Sequence, residues 1–323
     1  MKLPSARGPV SAALIDVLSG RSTALPARPA FDSDGDLHLT LFVCYELAYR
    51  GWDGVDDDWE WNPDVLRLRA VAEERFMAAL HDLAGPPEPV DPATVPQRLR
   101  ELADADSDGP SLSGYLRGRA THEQFREFVA ERSVYHLKEA DPHTWAIPRL
   151  AGQAKAALIE IQIDEYGNGR APRMHQELFT ATMRWFGLDT TYGGYVDTAR
   201  AETLANNNLM SLFGLHRRNR GMIIGHLAAY EMTSTGPNRA YGNGLRRLGG
   251  DAEATAFYDE HVEADAVHEQ IAAHDLAGSF ARAEPELAGD VLFGARCALA
   301  LDTVWAAGML ASWHVKSLAG TGG

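Results

Sequence analysis

The chain has 323 residues with 45 Asp and Glu against 30 Lys and Arg, a net charge of -15. That balance excludes a nucleic-acid-binding surface, which needs clustered Lys and Arg against phosphate. With 45% hydrophobic and 23% charged residues, a mostly disordered chain is excluded too. The length suits one sizeable helical domain or two smaller ones. Cys44 and Cys297 lie in apolar runs, so buried free thiols in a reducing cytoplasm are expected instead of a disulfide. The first residues lack the charged start and sustained apolar run of a secretion signal. The apolar stretch from Cys297 to Trp313 is broken by Asp302 and reads as a core helix, not a membrane span. A cytoplasmic protein without membrane or nucleic-acid partners is expected.

In chain order, the Ala- and Leu-rich sequence predicts an all-α fold, because few stretches alternate long enough for a strand. Asp36 to Arg50 and Pro63 to Leu83 are the first predicted helices. A Pro-rich connection from Gly85 to Pro96, a short helical piece and a loop from Asp104 to Ser111 follow. This divides the chain into an N-terminal helical extension, 1–120, and a core, 121–323. Core helices are predicted over Thr121–Ala140, Pro148–Tyr166, Arg173–Phe186, Thr198–Leu212, Asn219–Thr233, Ala252–His274 and Pro285–Ser312. Pro142 with Pro148, Gly167 with Gly169 and Pro172, and Thr235-Gly236-Pro237-Asn238 mark the breaks.

Four places carry chemistry. Steps of four and three residues bring His261, Asp265 and His268 within roughly 40–60° of one helix stripe, an arrangement suited to a first-row transition metal. A polar, solvated helix face is the competing reading. Glu165 precedes the Gly167/Gly169 break and His175 follows it, so the bend can fold one back on the other. As an exposed acid at a helix C-terminus, Glu165 would be mildly unfavourable for the dipole. Glu231 stands among Leu227, Ala228, Ala229 and Met232, company in which a carboxylate needs a partner. Glu139 shares its turn with Lys138, Asp141 and His143, where capping or ion pairing competes with ligation. The paired Glu-x-x-His helices of a ferritin-like dimetal site are not found.

These residues resemble the haem-oxygenase-like diiron oxidases, the iron-containing redox enzymes, from about Glu123 to the C-terminus. The resemblance rests on Tyr135 to Trp145, on Glu160 to Gly167 with Met174-His175, and on the late His261/Asp265/His268 run. It implies a seven-helix bundle of haem-oxygenase type holding two iron ions, with O2 as cosubstrate and an external electron donor. Residue by residue, it implies Glu165, His175, Glu231, His261, Asp265 and His268 as metal ligands. Glu139 falls where N-oxygenating members of the family carry an extra carboxylate, which implies oxygenation of an amine nitrogen on a small amino-acid-like substrate. Oxidative C–C cleavage, decarboxylation or desaturation by the same metals is the sister reading. A non-catalytic helical binding protein, or a haem protein that would leave the carboxylates without purpose, are the readings of other classes. The partner expected is a small molecule, with a homodimer as the assembly left open. The Arg217-Arg218-Asn219-Arg220 cluster and Arg170 with Arg173 read as solvated surface more readily than as a substrate's carboxylate site.

Overall fold

The computed structural model describes residues 1–105 and 111–313, and of 264–267 the backbone alone. Most of the predicted loop from Asp104 to Ser111 therefore lies outside the described residues. The described chain is helical throughout, with no strand. Its first part carries α1 (Pro9–Leu18), α2 (Asp34–Glu46), α3 (Pro63–Ala84), α4 (Val95–Ala103) and α5 (Leu112–Gly118). Then follow α6 (His122–His136), the short α7 (Asp141–Thr144), α8 (Gly152–Glu165), α9 (His175–Trp185), α10 (Ala201–Leu215) and α11 (Arg220–Thr233). The last are α12 (Thr235–Arg247), α13 (Ala252–Gln270), α14 (Ser279–Ala283) and α15 (Ala288–Ser312), with π-helical backbone over Ile271–Gly278 joining α13 to α14.

Local chemistry explains several of the starts. Asn62 caps α3, accepting from the Asp64 and Val65 amides, with Pro63 at the first helical position. Thr121 and Gln124 form a capping box that opens α6. The run Thr235-Gly236-Pro237-Asn238, predicted as a break, instead begins α12. Pro237 falls in its first turn, where the missing N–H has no intrahelical partner to lose.

Helix α10 is the centre of the bundle, buried continuously from Thr203 to Gly214. Leu39 and Leu41 of α2, Leu209 and Leu212 of α10, and Phe293 of α15 belong to one hydrophobic cluster, so residues before and after position 120 share a core. Helices α11 and α15 cross at backbone contact. A Cβ at Gly225 would lie 1.8 Å from the Val291 carbonyl oxygen, and one at Gly294 would lie 2.0 Å from that of Met222. Only glycine allows this approach, and it fixes the depth of α11, which carries Glu231. Pro285–Ser312 is long and apolar enough to cross a membrane by length and composition, and half of its apolar window is buried within the protein. Cys44 and Cys297 are buried free thiols.

Candidate metal centre

The turn between α6 and α7 carries Glu139, and the two residues Lys138 and Glu139 are held by opposite partners. Lys138, 1% exposed, pairs with the fully buried Glu46 of α2. Its ammonium also lies 4.8 Å from the Phe42 ring centre and 4.6 Å from that of Tyr49. Tyr192 completes the group by donating to the second Glu46 oxygen at 2.7 Å. Glu139 meets His136 at 3.1 Å and His261 at 3.5 Å. Ala140, next in the chain, has φ 70, a left-handed backbone unusual for a residue with a Cβ.

The bend after α8 brings its last residue against the first residue of α9. Gly167 makes this possible: its φ is +60 and a Cβ there would stand 2.5 Å from the Arg173 backbone. Glu165 and His175 consequently approach to 3.0 Å. A bond from Thr182 to the Ala254 carbonyl, 2.7 Å, ties α9 to α13 and sets the His175 and His261 rings 4.4 Å apart between centroids. One ligand atom from each of Glu139, Glu165, His175 and His261 lies within 4.8 Å of the others. A second group adjoins the first. Glu231 of α11 lies 3.4 Å from His268 Nδ1, and Asp164 lies 3.6 Å from its Nε2. The side chain of Asp265 lies outside the described residues.

The donor set fits cations. The His261 Nδ1–H donates to the Phe257 carbonyl at 2.8 Å, since a carbonyl oxygen can only accept. In the neutral ring, Nε2 then turns a lone pair toward the Glu139 carboxylate, two acceptors that need a proton or a metal between them. Such a backbone anchor on the far nitrogen is common in metal-binding histidines. His175 Nδ1 and Glu165 Oε2 are close but misaligned, and with Glu139 Oε2 and His268 Nδ1 they have no hydrogen-bond partner among the described residues. Burial pushes the Glu139 carboxyl up, but His136 and His261 together hold it well below the usual range. Glu165 is lowered as well, with His175 and its other neighbours prevailing over burial. Burial raises Glu231, and His268 offsets this only in part. His175 and His268 are raised despite burial, through Glu165 and Glu231 respectively. Protons thus share the site in the metal-free protein, and metal loading must weaken as pH falls.

Two nearby residues escaped the sequence reading. His136 sits between the rings of Phe179 and Phe257 and touches Glu139, three residues on, a helical spacing that was available as a signal. Asp164 reads as an exposed helix-end acid until α13 is placed beside it. A cavity of about 150 Å³ opens next to the cluster, with Glu139, Glu165, Glu231 and His261 in its wall. None of the arginines weighed from the sequence lines it.

Residues 126–303 match the family model described as iron-containing redox enzyme. The chain is also 27% identical over 147 residues to the nitrosourea synthase of Streptomyces achromogenes subsp. streptozoticus. That alignment covers 46% of this chain and 31% of the relative, so the chain spans under a third of that protein's length. The match covers more than half of the chain and contains every residue of both carboxylate–histidine groups: the chain belongs to the iron-containing redox enzyme family.

Proposed function

We propose that this protein is an O2-dependent enzyme with two irons that oxygenates an amine nitrogen of a small amino-acid-like substrate. Glu139, Glu165, His175 and His261 would hold one ion, and Glu231 and His268, with Asp265, would hold the other. Glu165 is the carboxylate that neighbours both groups, since its charge acts on Glu231 and His268 as well as on His175. Bound iron would supply the activation of O2. One oxygen atom goes to nitrogen and the other leaves as water, with two electrons and two protons from an external donor. The chain's own share is to hold the ligand atoms in place and keep bulk water from them. Its histidine rings are fixed by Phe257 and the α9–α13 contact, and Glu139 by the Lys138–Glu46 pair behind it.

The observation that carries the reading is the placement of Glu139. It faces His261 inside the same 4.8 Å group as Glu165 and His175, and neither caps a helix nor pairs with Lys138. Similarity to a protein named nitrosourea synthase supports nitrogen as the atom oxidised, because a nitroso group is an oxidised nitrogen.

The test compares wild type with Glu139→Ala, both loaded with ferrous iron without O2, then exposed to O2 with amino acids bearing side-chain nitrogens. Mass spectrometry should show wild-type product carrying one added oxygen on nitrogen. The variant should lose this by roughly 100-fold or more, the scale of one lost electrostatic group at a reacting centre. Product lacking two hydrogens or a carbon fragment, or undiminished N-oxygenation by the variant, would reject the proposal.

A further inference from the structure

The cavity beside the cluster also contains a pair of opposite charges that no metal needs. Arg132 of α6 and Asp302 of α15 both line it, with Nη2 donating to Oδ1 at 2.9 Å. The guanidinium lies over Trp305, 4.0 Å from the ring centre, and 5.9 Å from that of Phe128. Arg132 precedes His136 by one helical turn, about 6 Å along the axis, and His136 in turn touches Glu139. The charge pair and the metal-ligand carboxylates are therefore separate features of one wall.

Other polar atoms of this wall are unsatisfied. Tyr258 is 1% exposed and Gln162 is 3% exposed, and both line the cavity. The Tyr258 hydroxyl and both amide atoms of Gln162 have no hydrogen-bond partner among the described residues. A buried orphan of this kind is costly unless a ligand or water answers it.

We infer that Arg132 and Asp302 bind the α-carboxylate and α-ammonium of a free amino acid whose side chain extends toward Glu139. Resting on the oxygenase reading, this identifies the substrate class and the reacting atom. A fatty acid would set a carboxylate beside Asp302 with nothing to offset it, and a simple amine would leave Arg132 unused. A zwitterion meets both charges: the guanidinium has donors beyond the Nη2–Oδ1 bond for the carboxylate, and Asp302 has a second oxygen for the ammonium. An α-nitrogen kept as ammonium has no lone pair to oxidise. The nitrogen that reacts is then the distal one, on the side chain.

The test is calorimetric titration of the ferrous protein without O2, so that nothing turns over, repeated on metal-free protein. Probes are the proteinogenic amino acids, with cadaverine and agmatine as the decarboxylated forms of lysine and arginine and 6-aminohexanoate as the deaminated form of lysine. Lysine or arginine should bind roughly 10- to 100-fold more tightly than its truncated forms, the worth of one charge-assisted bond. Arg132→Gln should abolish the preference over the decarboxylated form. Asp302→Asn should abolish the preference of lysine over 6-aminohexanoate. Arg132→Lys keeps the charge if the glutamine variant fails to fold, and should retain part of the preference. Truncated forms that bind wild type equally, variants that keep both preferences, or no binding by any amino acid would overturn the inference. Zwitterion binding that persists in a protein without iron or O2 uptake would instead overturn the oxygenase reading and leave this one standing.

Discussion

Replacing His175 by alanine should leave a folded protein that retains little iron. Changes to groups that merely support a metal ligand cost about 10- to 100-fold in affinity, and removing a ligand should exceed that. His175 is 1% exposed and 3.0 Å from Glu165, so the gap left behind is lined by a carboxylate without its partner. Metal analysis after desalting, beside a helix-content measurement, checks the result. Glu160→Ala, on the exposed side of α8, serves as the control and should load normally. Full loading of the His175 variant would remove α9 from the metal centre.

The second large effect concerns stability, away from the ligands themselves. Lys138→Met should destabilise the protein by about 3–5 kcal/mol, the usual result of stripping a buried charge of its partner. The change leaves the Glu46 carboxylate at zero exposure with only Tyr192 donating to it among the described residues. Lys138→Met combined with Glu46→Gln removes the orphaned charge and keeps an acceptor for Tyr192, so more than half of the loss should return. Urea midpoints of the three proteins decide this. A single variant within about 1 kcal/mol of wild type would show that the pair contributes no more than a surface contact.

The same pair shows what was legible in the sequence and what was not. Gly167, Gly169 and Pro172 announce a bend, and the bend is what lets Glu165 meet His175. Glu231 in apolar company announces a buried carboxylate, and it is 6% exposed. These features are local, written within a dozen residues. By contrast, the partner of Lys138 stands 92 positions away and that of Arg132 stands 170 away. Only the placement of Glu46 of α2 beside the turn after α6 determines that Lys138 points away from the cluster while Glu139 joins it. The stripe on α13 was visible, but its division was not. His261 faces Glu139 and His268 faces Glu231, because α13 lies against α6 and α9 at one level and α11 at another. Helix α12 is hidden in the sequence by its Gly-Pro pair, which marks a break in the middle of a helix and a beginning at its first turn.

Two carboxylate–histidine groups in one helical core are expected to hold two irons. The most direct test is the metal content of the full chain after anaerobic loading with ferrous iron and removal of excess. About two irons per chain should remain, with an optical change when O2 is admitted, as two O2-reactive ferrous ions would give. Iron that washes out to well below one per chain, with no change on adding O2, would contradict the account.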